Sequence, residues 1–108
     1  MVEELEISAE ELKRLCNGHT HFHLIDVREQ FEYDFCRIDG SQLIPMGQFP
    51  KRIGELNPEE EYVFYCHVGE RSGLVVNYLR QHGFKKVRSL KGGIERWALE
   101  IDQSIPRY

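Results

Sequence analysis

The residue best placed for chemistry is Cys66, which follows an apolar strand segment at residues 61–65 and opens a loop that ends at Arg71-Ser72. If the four residues between Cys66 and Arg71 curl around the sulfur, successive backbone N–H groups point inward and form an anion-binding nest. The N-terminus of the following helix adds partial positive charge. Gly69 permits a left-handed bend, and Arg71 places a permanent cation over the rim. Each feature favours a nucleophilic thiolate, or a persulfide anion, at Cys66.

The length of this loop bears on what it can hold. Phosphatases with the pattern C-x5-R-[ST] form a ring that fits a phosphate, whereas this sequence has C-x4-R. A shorter ring fits one sulfur atom on Cys66 better than a tetrahedral oxyanion. Most intracellular cysteines are simply small apolar core residues, but the strand-end position, the spacing to Arg71 and the helix that follows favour a functional interpretation. Neighbouring side chains in a turn seldom face each other, so His67 is not expected to serve Cys66 as a base.

A continuous alternation of strands and helices must position this loop. The sequence predicts strands at residues 21–27, 42–44, 61–65 and 86–90. It predicts helices at residues 9–17, 29–35, 49–56 and 72–82, and one that follows Gly92-Gly93. The first helix begins with a Ser8–Glu11 capping box. This alternation predicts an α/β domain of three layers, with a mainly parallel sheet of about five strands and helices on both faces. Sites in such sheets lie at the carboxyl ends of strands, which fits the loops after residues 26 and 66.

Length and composition are typical of one globular domain. The chain has 108 residues, 41% hydrophobic and 30% charged, and we expect residues 1–108 to form a single domain. Its 14 basic and 18 acidic residues give a net charge of −4, which disfavours a nucleic-acid partner. No apolar run approaches the roughly 20 residues that span a bilayer, and the acidic N-terminus is unlike a signal peptide. We therefore predict a cytoplasmic protein with no membrane partner.

The remaining candidate ligands are Cys16, Cys36 and the alternating His19, His21 and His23. The cysteines show no C-x-x-C spacing, so neither a zinc site nor a thioredoxin-type redox pair is expected. We expect both cysteines to be partly buried free thiols, with Cys36 a resolving thiol only if it lies close to the loop cysteine. On an extended segment the three histidines share a face and could together bind a metal ion. Because no carboxylate or cysteine accompanies them, we interpret them as the solvated start of a strand and predict no metal.

Four motifs in order resemble those of the rhodanese-like sulfurtransferase family in its single-domain form. They lie at residues 24–33, 38–45, 65–72 and 90–97, and the resemblance extends from about residue 7 to residue 108. Two finer features, Cys36-Arg37 where many members have Gly-His and the ending at residues 101–108, resemble the C-terminal domain of adenylyltransferase–sulfurtransferase proteins. Those proteins thiolate small ubiquitin-like sulfur carriers. At Ser41-Gln42 the sequence departs from the small apolar residues common in the family.

The resemblance implies that Cys66 accepts a sulfane sulfur as a persulfide and passes it to a nucleophilic acceptor, with no cofactor. The loop residues assigned to substrate binding are His67, Val68, Gly69, Glu70, Arg71 and Ser72. Arg71 matches an arginine that helps bind an anionic donor such as thiosulfate, and Asp26 and Arg28 match supporting positions. Because Glu70 adds negative charge near the mouth, a protein persulfide is as good a donor candidate as thiosulfate. A ubiquitin-like sulfur carrier is a candidate acceptor.

Two alternatives remain. One is a rhodanese-type module that binds a partner and transfers nothing, which the intact Cys66 argues against. The other is a phosphatase or arsenate reductase, which the short C-x4-R loop argues against.

Overall fold

The structure is a computed structural model, and it describes residues 5–108. Its five strands are β1 (Glu6–Ile7), β2 (His23–Asp26), β3 (Gln42–Leu43), β4 (Tyr62–Tyr65) and β5 (Val87–Leu90). Its five α-helices are α1 (Ala9–Asn17), α2 (Gln30–Phe35), α3 (Phe49–Arg52), α4 (Glu70–Gln81) and α5 (Gly93–Glu100). The first four residues, part of the acidic N-terminus used in the signal-peptide argument, lie outside the described residues.

The strands form one sheet in the order β1-β5-β4-β2-β3, and every neighbouring pair is parallel. The sheet is therefore the parallel one that the sequence predicts. Strand β4 lies at its centre, and all four of its residues are buried. Because Cys66 directly follows β4, the central strand carries this residue to the carboxyl edge of the sheet, where sites of parallel sheets lie.

Helices cover both faces of the sheet, as predicted, and each face has its own apolar core. On one face Phe64 of β4 packs with Phe49 of α3 and Leu79 of α4. On the other face, residues from α1 and α5, including the buried Trp97, pack against Val63. Successive residues of β4 point to opposite faces, so this strand contributes to both cores. The loop that begins at Cys66 is thus attached to a strand that is held from both sides.

Three elements differ most from the sequence prediction, and the predicted strand ends otherwise lie within two residues of the observed ones. Strand β1 was not predicted, because two residues are too short to show a period of two. The α-helix predicted at residues 49–56 is shorter in the structure and consists of α3 alone. Single 3₁₀ turns lie before it at Met46–Gln48 and after it at Ile53–Glu55. A glycine at position 54 disfavours continuation of the α-helix. Helix α4 begins at Glu70 rather than at Ser72, since Gly69 caps it through its backbone conformation.

Two features lie toward the ends of the described residues. The Ser8–Glu11 capping box forms as predicted, with the Glu11 N–H donating to Ser8 Oγ over 3.1 Å. After α5 the chain continues without further helix or strand and brings Tyr108 against His67 of the loop that follows β4. Among the helices at residues 5–108, none has both the length and the apolar character needed to span a lipid bilayer.

Candidate functional site

The loop after β4 closes around the sulfur of Cys66. The Gly69 N–H donates to Sγ over 3.1 Å, and the Ser72 N–H donates to it over 3.4 Å. Gly69 has φ +109° and stands at the N-cap of α4, so the left-handed bend expected there is present. Cys66 is 1% exposed. The sulfur therefore lies at the bottom of a cradle of backbone N–H groups at the positive end of a helix of 12 residues, an arrangement that favours an anion.

Ser72 supports the sulfur from below. Its hydroxyl lies 3.4 Å from Cys66 Sγ and 2.7 Å from Ser89 Oγ, which comes from β5. Ser72 has no exposed surface. Its hydroxyl therefore contacts the thiol and not bulk solvent. Ser89 could not be identified from sequence, because only the parallel pairing of β4 with β5 brings it close.

Helix α5 fixes the other side of the loop. The Ile94 N–H donates to the Cys66 carbonyl over 2.9 Å, and the Glu95 N–H donates to the His67 carbonyl over 3.0 Å. A Cβ placed on Gly93 would lie 2.6 Å from the Cys66 carbonyl oxygen and closer still to that of His67. Glycine at this position is therefore required for the loop and α5 to approach this closely.

Arg71, which the sequence predicts to place a permanent cation over the rim, is engaged by another side chain of the protein. Its guanidinium makes a bidentate ion pair with Glu32 of α2, at 2.7 and 3.0 Å. The hydrogen bonds from Arg71 lower the pKa of the Glu32 carboxyl to about 2; burial opposes this effect, and a hydrogen bond from Tyr108 adds to it. The same pairing raises the pKa of Arg71. The cation expected to bind an anionic donor is thus neutralised by a carboxylate of the chain itself.

Tyr108 links this ion pair to the loop. Its hydroxyl donates to Glu32 over 2.6 Å and accepts from Arg28 over 2.9 Å. Its ring stacks on His67, with centroids 4.0 Å apart and planes 12° from parallel. Burial, followed by the hydrogen bond to the Glu32 carboxylate, raises the pKa of Tyr108 to about 12, so it stays a donor at neutral pH. The C-terminal residues therefore help to hold the loop.

Asp26 and Arg28 form a fully buried ion pair at 2.6 Å. Asp26 also accepts the Arg28 backbone N–H over 2.9 Å, which agrees with the capping role considered for it. Burial disfavours the charge on Arg28, but its hydrogen bonds to Asp26 and Tyr108 outweigh this effect and raise its pKa. Arg28 also donates to the Cys36 carbonyl over 2.5 Å. The pair thus connects the end of β2 to the end of α2. Asp26 and Arg28 therefore occupy supporting positions and not positions at the sulfur.

The other loop residues differ in exposure. Val68, at 47% exposed, and Glu70 face solvent. His67 is partly buried between Tyr108 and the side of α5, where its Nε2 lies 3.9 Å from Glu95. Val68 and Glu70 are therefore the loop side chains that an approaching partner meets first.

The two remaining cysteines differ from the expectation of partial burial. Cys16 is exposed, and Cys36 is buried in the core beside α2. The Sγ of Cys36 lies 3.9 Å from the Arg28 guanidinium.

The histidine cluster also needs a correction. A carboxylate does accompany it: Glu60, from the loop before β4, lies 2.6 Å from His23 Nε2. Strand β2 begins only at His23, so His19 and His21 precede it.

A comparison with protein-family models finds the rhodanese-like domain at residues 8–100. The chain belongs to the rhodanese-like domain family. A crystal structure of a rhodanese-like domain protein from Staphylococcus aureus superposes with a TM-score of 0.82 and 29% identity, covering 95% of this chain and 97% of that one.

Curated relatives show the range of proteins in which this domain occurs. Rhodanese-like/PpiC domain-containing protein 12 of Arabidopsis thaliana is 42% identical over 79% of this chain, which spans 30% of that protein. The Bacillus subtilis protein YtwF, named as a sulfurtransferase, is 39% identical over 85% of this chain and 88% of its own length. Adenylyltransferase and sulfurtransferase proteins also match, at 32% identity in Sclerotinia sclerotiorum and 28% in Arabidopsis, over 22% and 26% of their lengths. The rhodanese-like domain thus occurs both nearly alone and within longer proteins.

Sequence reasoning missed the roles of Glu32 and Tyr108. Glu32 is the buried residue of α2, whereas the apolar Phe31 and Phe35 of the same helix are exposed. A buried carboxylate requires a cation, but the hydrophobic pattern of this helix does not mark Glu32 as buried. Its cation, Arg71, lies 39 residues further along the chain.

Proposed function

We propose that this rhodanese-like domain is a sulfurtransferase that carries one sulfane sulfur on Cys66. The supporting observation is the cradle of Gly69 and Ser72 N–H groups that point at Cys66 Sγ over 3.1 and 3.4 Å. Preorganised backbone donors favour the sulfur as an anion, without reorganisation when the anion forms. Matched relatives carry the name sulfurtransferase, which agrees with this activity.

The reaction is a double displacement. The Cys66 thiolate attacks the outer sulfur of a donor persulfide, a new S–S bond forms on Cys66, and the donor's S–S bond breaks to release its thiolate. A nucleophilic acceptor, such as a thiolate, then attacks the outer sulfur of the Cys66 persulfide, and cleavage of that S–S bond restores the Cys66 thiolate. Each step moves one sulfur atom and one electron pair, so no external oxidant or reductant is required.

The loop offers a place for the transferred sulfur. The outer sulfur of a persulfide lies about 2 Å beyond Sγ. The first intrahelical bond of α4 runs from the Gly73 N–H to the Gly69 carbonyl, so the amides of Glu70 and Arg71 precede it and lack intrahelical partners. These amides and the helix dipole can stabilise the negative charge of the outer sulfur.

The charges around the loop favour a persulfide donor over thiosulfate. Thiosulfate is a dianion, and the cation expected to receive it, Arg71, is already paired with Glu32. Exposed Glu70 adds further negative charge at the mouth. We therefore propose a protein or small-molecule persulfide as the donor. For the acceptor we propose a ubiquitin-like sulfur carrier, on the resemblance to the adenylyltransferase–sulfurtransferase proteins.

Intact-protein mass spectrometry tests this function. The domain is incubated with thiosulfate or with a persulfide-loaded cysteine desulfurase, and wild type is compared with Cys66→Ser, Cys16→Ser and Cys36→Ser. We expect the mass of one sulfur atom to be added to wild type and to the last two variants, but not to Cys66→Ser. Addition that persists in Cys66→Ser, or absence of addition from both donors, would contradict the proposal.

The alternatives give different outcomes in the same experiments. A phosphatase would hydrolyse an aryl phosphate in a reaction that depends on Cys66. A binding module without transfer would retain every activity in the Cys66→Ser variant.

A further inference from the structure

A second cluster of ligand-type side chains lies at the opposite end of the sheet from Cys66. It consists of His21, His23 and Glu60. His23 begins β2 and pairs in register with Tyr62, the first residue of β4. Cys66 lies four residues after Tyr62 along extended strand, about 13 Å away at 3.3 Å per residue. The cluster therefore has no direct contact with the sulfur chemistry.

The ligand atoms of the three side chains already converge. One ring nitrogen of each histidine and one carboxylate oxygen of Glu60 all lie within 4.8 Å of one another. In a tetrahedral zinc site with bonds of 2.0–2.2 Å, neighbouring ligand atoms are about 3.3 Å apart. His21 is exposed and Glu60 is half-buried, so side-chain rotations without movement of the sheet can bring the three atoms to this spacing.

Surrounding contacts hold the central ligand in place. The His23 ring stacks on Tyr62, with centroids 4.7 Å apart, and its Nε2 faces Glu60 at 2.6 Å. Its backbone N–H donates to the Glu61 carbonyl over 2.9 Å. The His21 ring meets the His23 ring edge-on, with centroids 4.9 Å apart. A ligand whose ring orientation is fixed in advance binds a metal with less loss of entropy.

We propose that His21, His23 and Glu60 bind one divalent transition-metal ion of the zinc type. Two imidazole nitrogens and one carboxylate oxygen are a usual zinc ligand set, with the fourth position left to water. The carboxylate offsets part of the charge of the ion. Nearby basic groups are engaged elsewhere: Lys86 donates to the Glu59 carbonyl, and Arg88 pairs with Glu61.

A metal ion here connects the segment before β2 to the loop before β4. These two segments are far apart in sequence, and an ion that binds only the folded chain stabilises it. The site is therefore expected to raise the thermal stability of the domain in the presence of zinc and to leave sulfur loading of Cys66 unchanged.

The test is a titration of the reduced full chain with Zn²⁺ alone, followed by competition with a chromogenic chelator. We expect one zinc ion per chain in the wild type and a higher unfolding temperature in its presence. His21→Ala and Glu60→Gln should each weaken zinc affinity by at least about tenfold, since even the loss of an outer-shell partner has an effect of this size. His19→Ala is the matched control, an exposed histidine outside the cluster, and should retain the affinity of the wild type.

Cys66→Ser and Cys16→Ser separate this site from zinc binding by thiols. Both variants should bind zinc as the wild type does. The proposal is overturned if the wild type shows no saturable zinc binding, or if binding is lost in a cysteine variant and kept in His21→Ala and Glu60→Gln. His21 is exposed, so its replacement leaves the core intact, and unchanged sulfur loading in this variant verifies the fold.

Discussion

The Glu32–Arg71 pair gives a quantitative prediction for Glu32→Gln, which keeps the shape of the side chain and removes its charge. The hydrogen bonds from Arg71, against the effect of burial and with a further hydrogen bond from Tyr108, lower the pKa of Glu32 from 4.5 to about 2. This difference of about two and a half pH units corresponds to about 3 kcal/mol of stabilisation. The Glu32 side chain is only 7% exposed, so solvent screens little of this interaction. We therefore expect Glu32→Gln to be less stable than the wild type by about 3 kcal/mol at pH 7.

The contribution of Glu32 depends on pH in a defined direction. Because folding lowers its pKa, the stabilisation is fully present above the unfolded-state value of 4.5 and is lost as the pH falls toward 2. Linkage between the two pKa values gives a loss of about 2 kcal/mol by pH 3. The deficit of Glu32→Gln should thus narrow from about 3 kcal/mol at pH 7 to about 1 kcal/mol at pH 3.

Urea unfolding at the two pH values measures this change. The fluorescence of Trp97, which is buried in the core, serves as the signal for unfolding. Glu55→Gln is the matched control, because Glu55 pairs with Arg52 at an exposed position on the surface. The control should match the wild type at both pH values. If the deficit of Glu32→Gln were equal at pH 7 and pH 3, the charge of Glu32 would not stabilise the fold, and the argument that Arg71 is neutralised would fail.

Three further predictions concern the loop. Gly69→Val should abolish sulfur loading in the mass assay while most of the fold remains, since a β-branched residue resists φ +109°. The control is Gly73→Ala, which should load normally because Gly73 lies inside α4 with open space around it. Glu32→Gln, by freeing Arg71, should lower the KM for thiosulfate by about tenfold, the effect of one charge-assisted hydrogen bond; an unchanged KM would show that Arg71 does not reach the donor. Tyr108→Phe should lower the free energy of unfolding by about 1–2 kcal/mol in urea titrations, and a value equal to the wild type would mean that its hydroxyl contacts are replaced by water.

The fold was predictable because its signals are local. The apolar strand at β4 and the Ser8–Glu11 capping box each depend on a few neighbouring residues. The position of Cys66 followed from the general rule that sites lie at the carboxyl edge of a parallel sheet. The cradle of N–H groups could be anticipated for the same reason, since it is made by consecutive residues.

The remaining features depend on pairings across the chain. Arg71 was expected to face the substrate, and its partner Glu32 is 39 residues away. Glu60 joins His23 across 37 residues, which sequence spacing alone does not show. The two-residue β1 exists only because β5 is present to pair with it. In each case the side chain or backbone group has several possible partners, and the tertiary structure selects one of them.

The all-parallel sheet has a consequence for when the loop around the Cys66 thiol is completed during folding. Parallel strands cannot form local hairpins, so every pairing closes a long loop and folding is expected to be slow. The outermost pairing joins Glu6 to Ser89, and α5 holds the loop only after β5 is in place. On a ribosome, Cys66 therefore emerges well before Ser89 and α5, which complete the contacts around its loop. The cradle that favours an anionic sulfur is thus finished only in the last stage of folding.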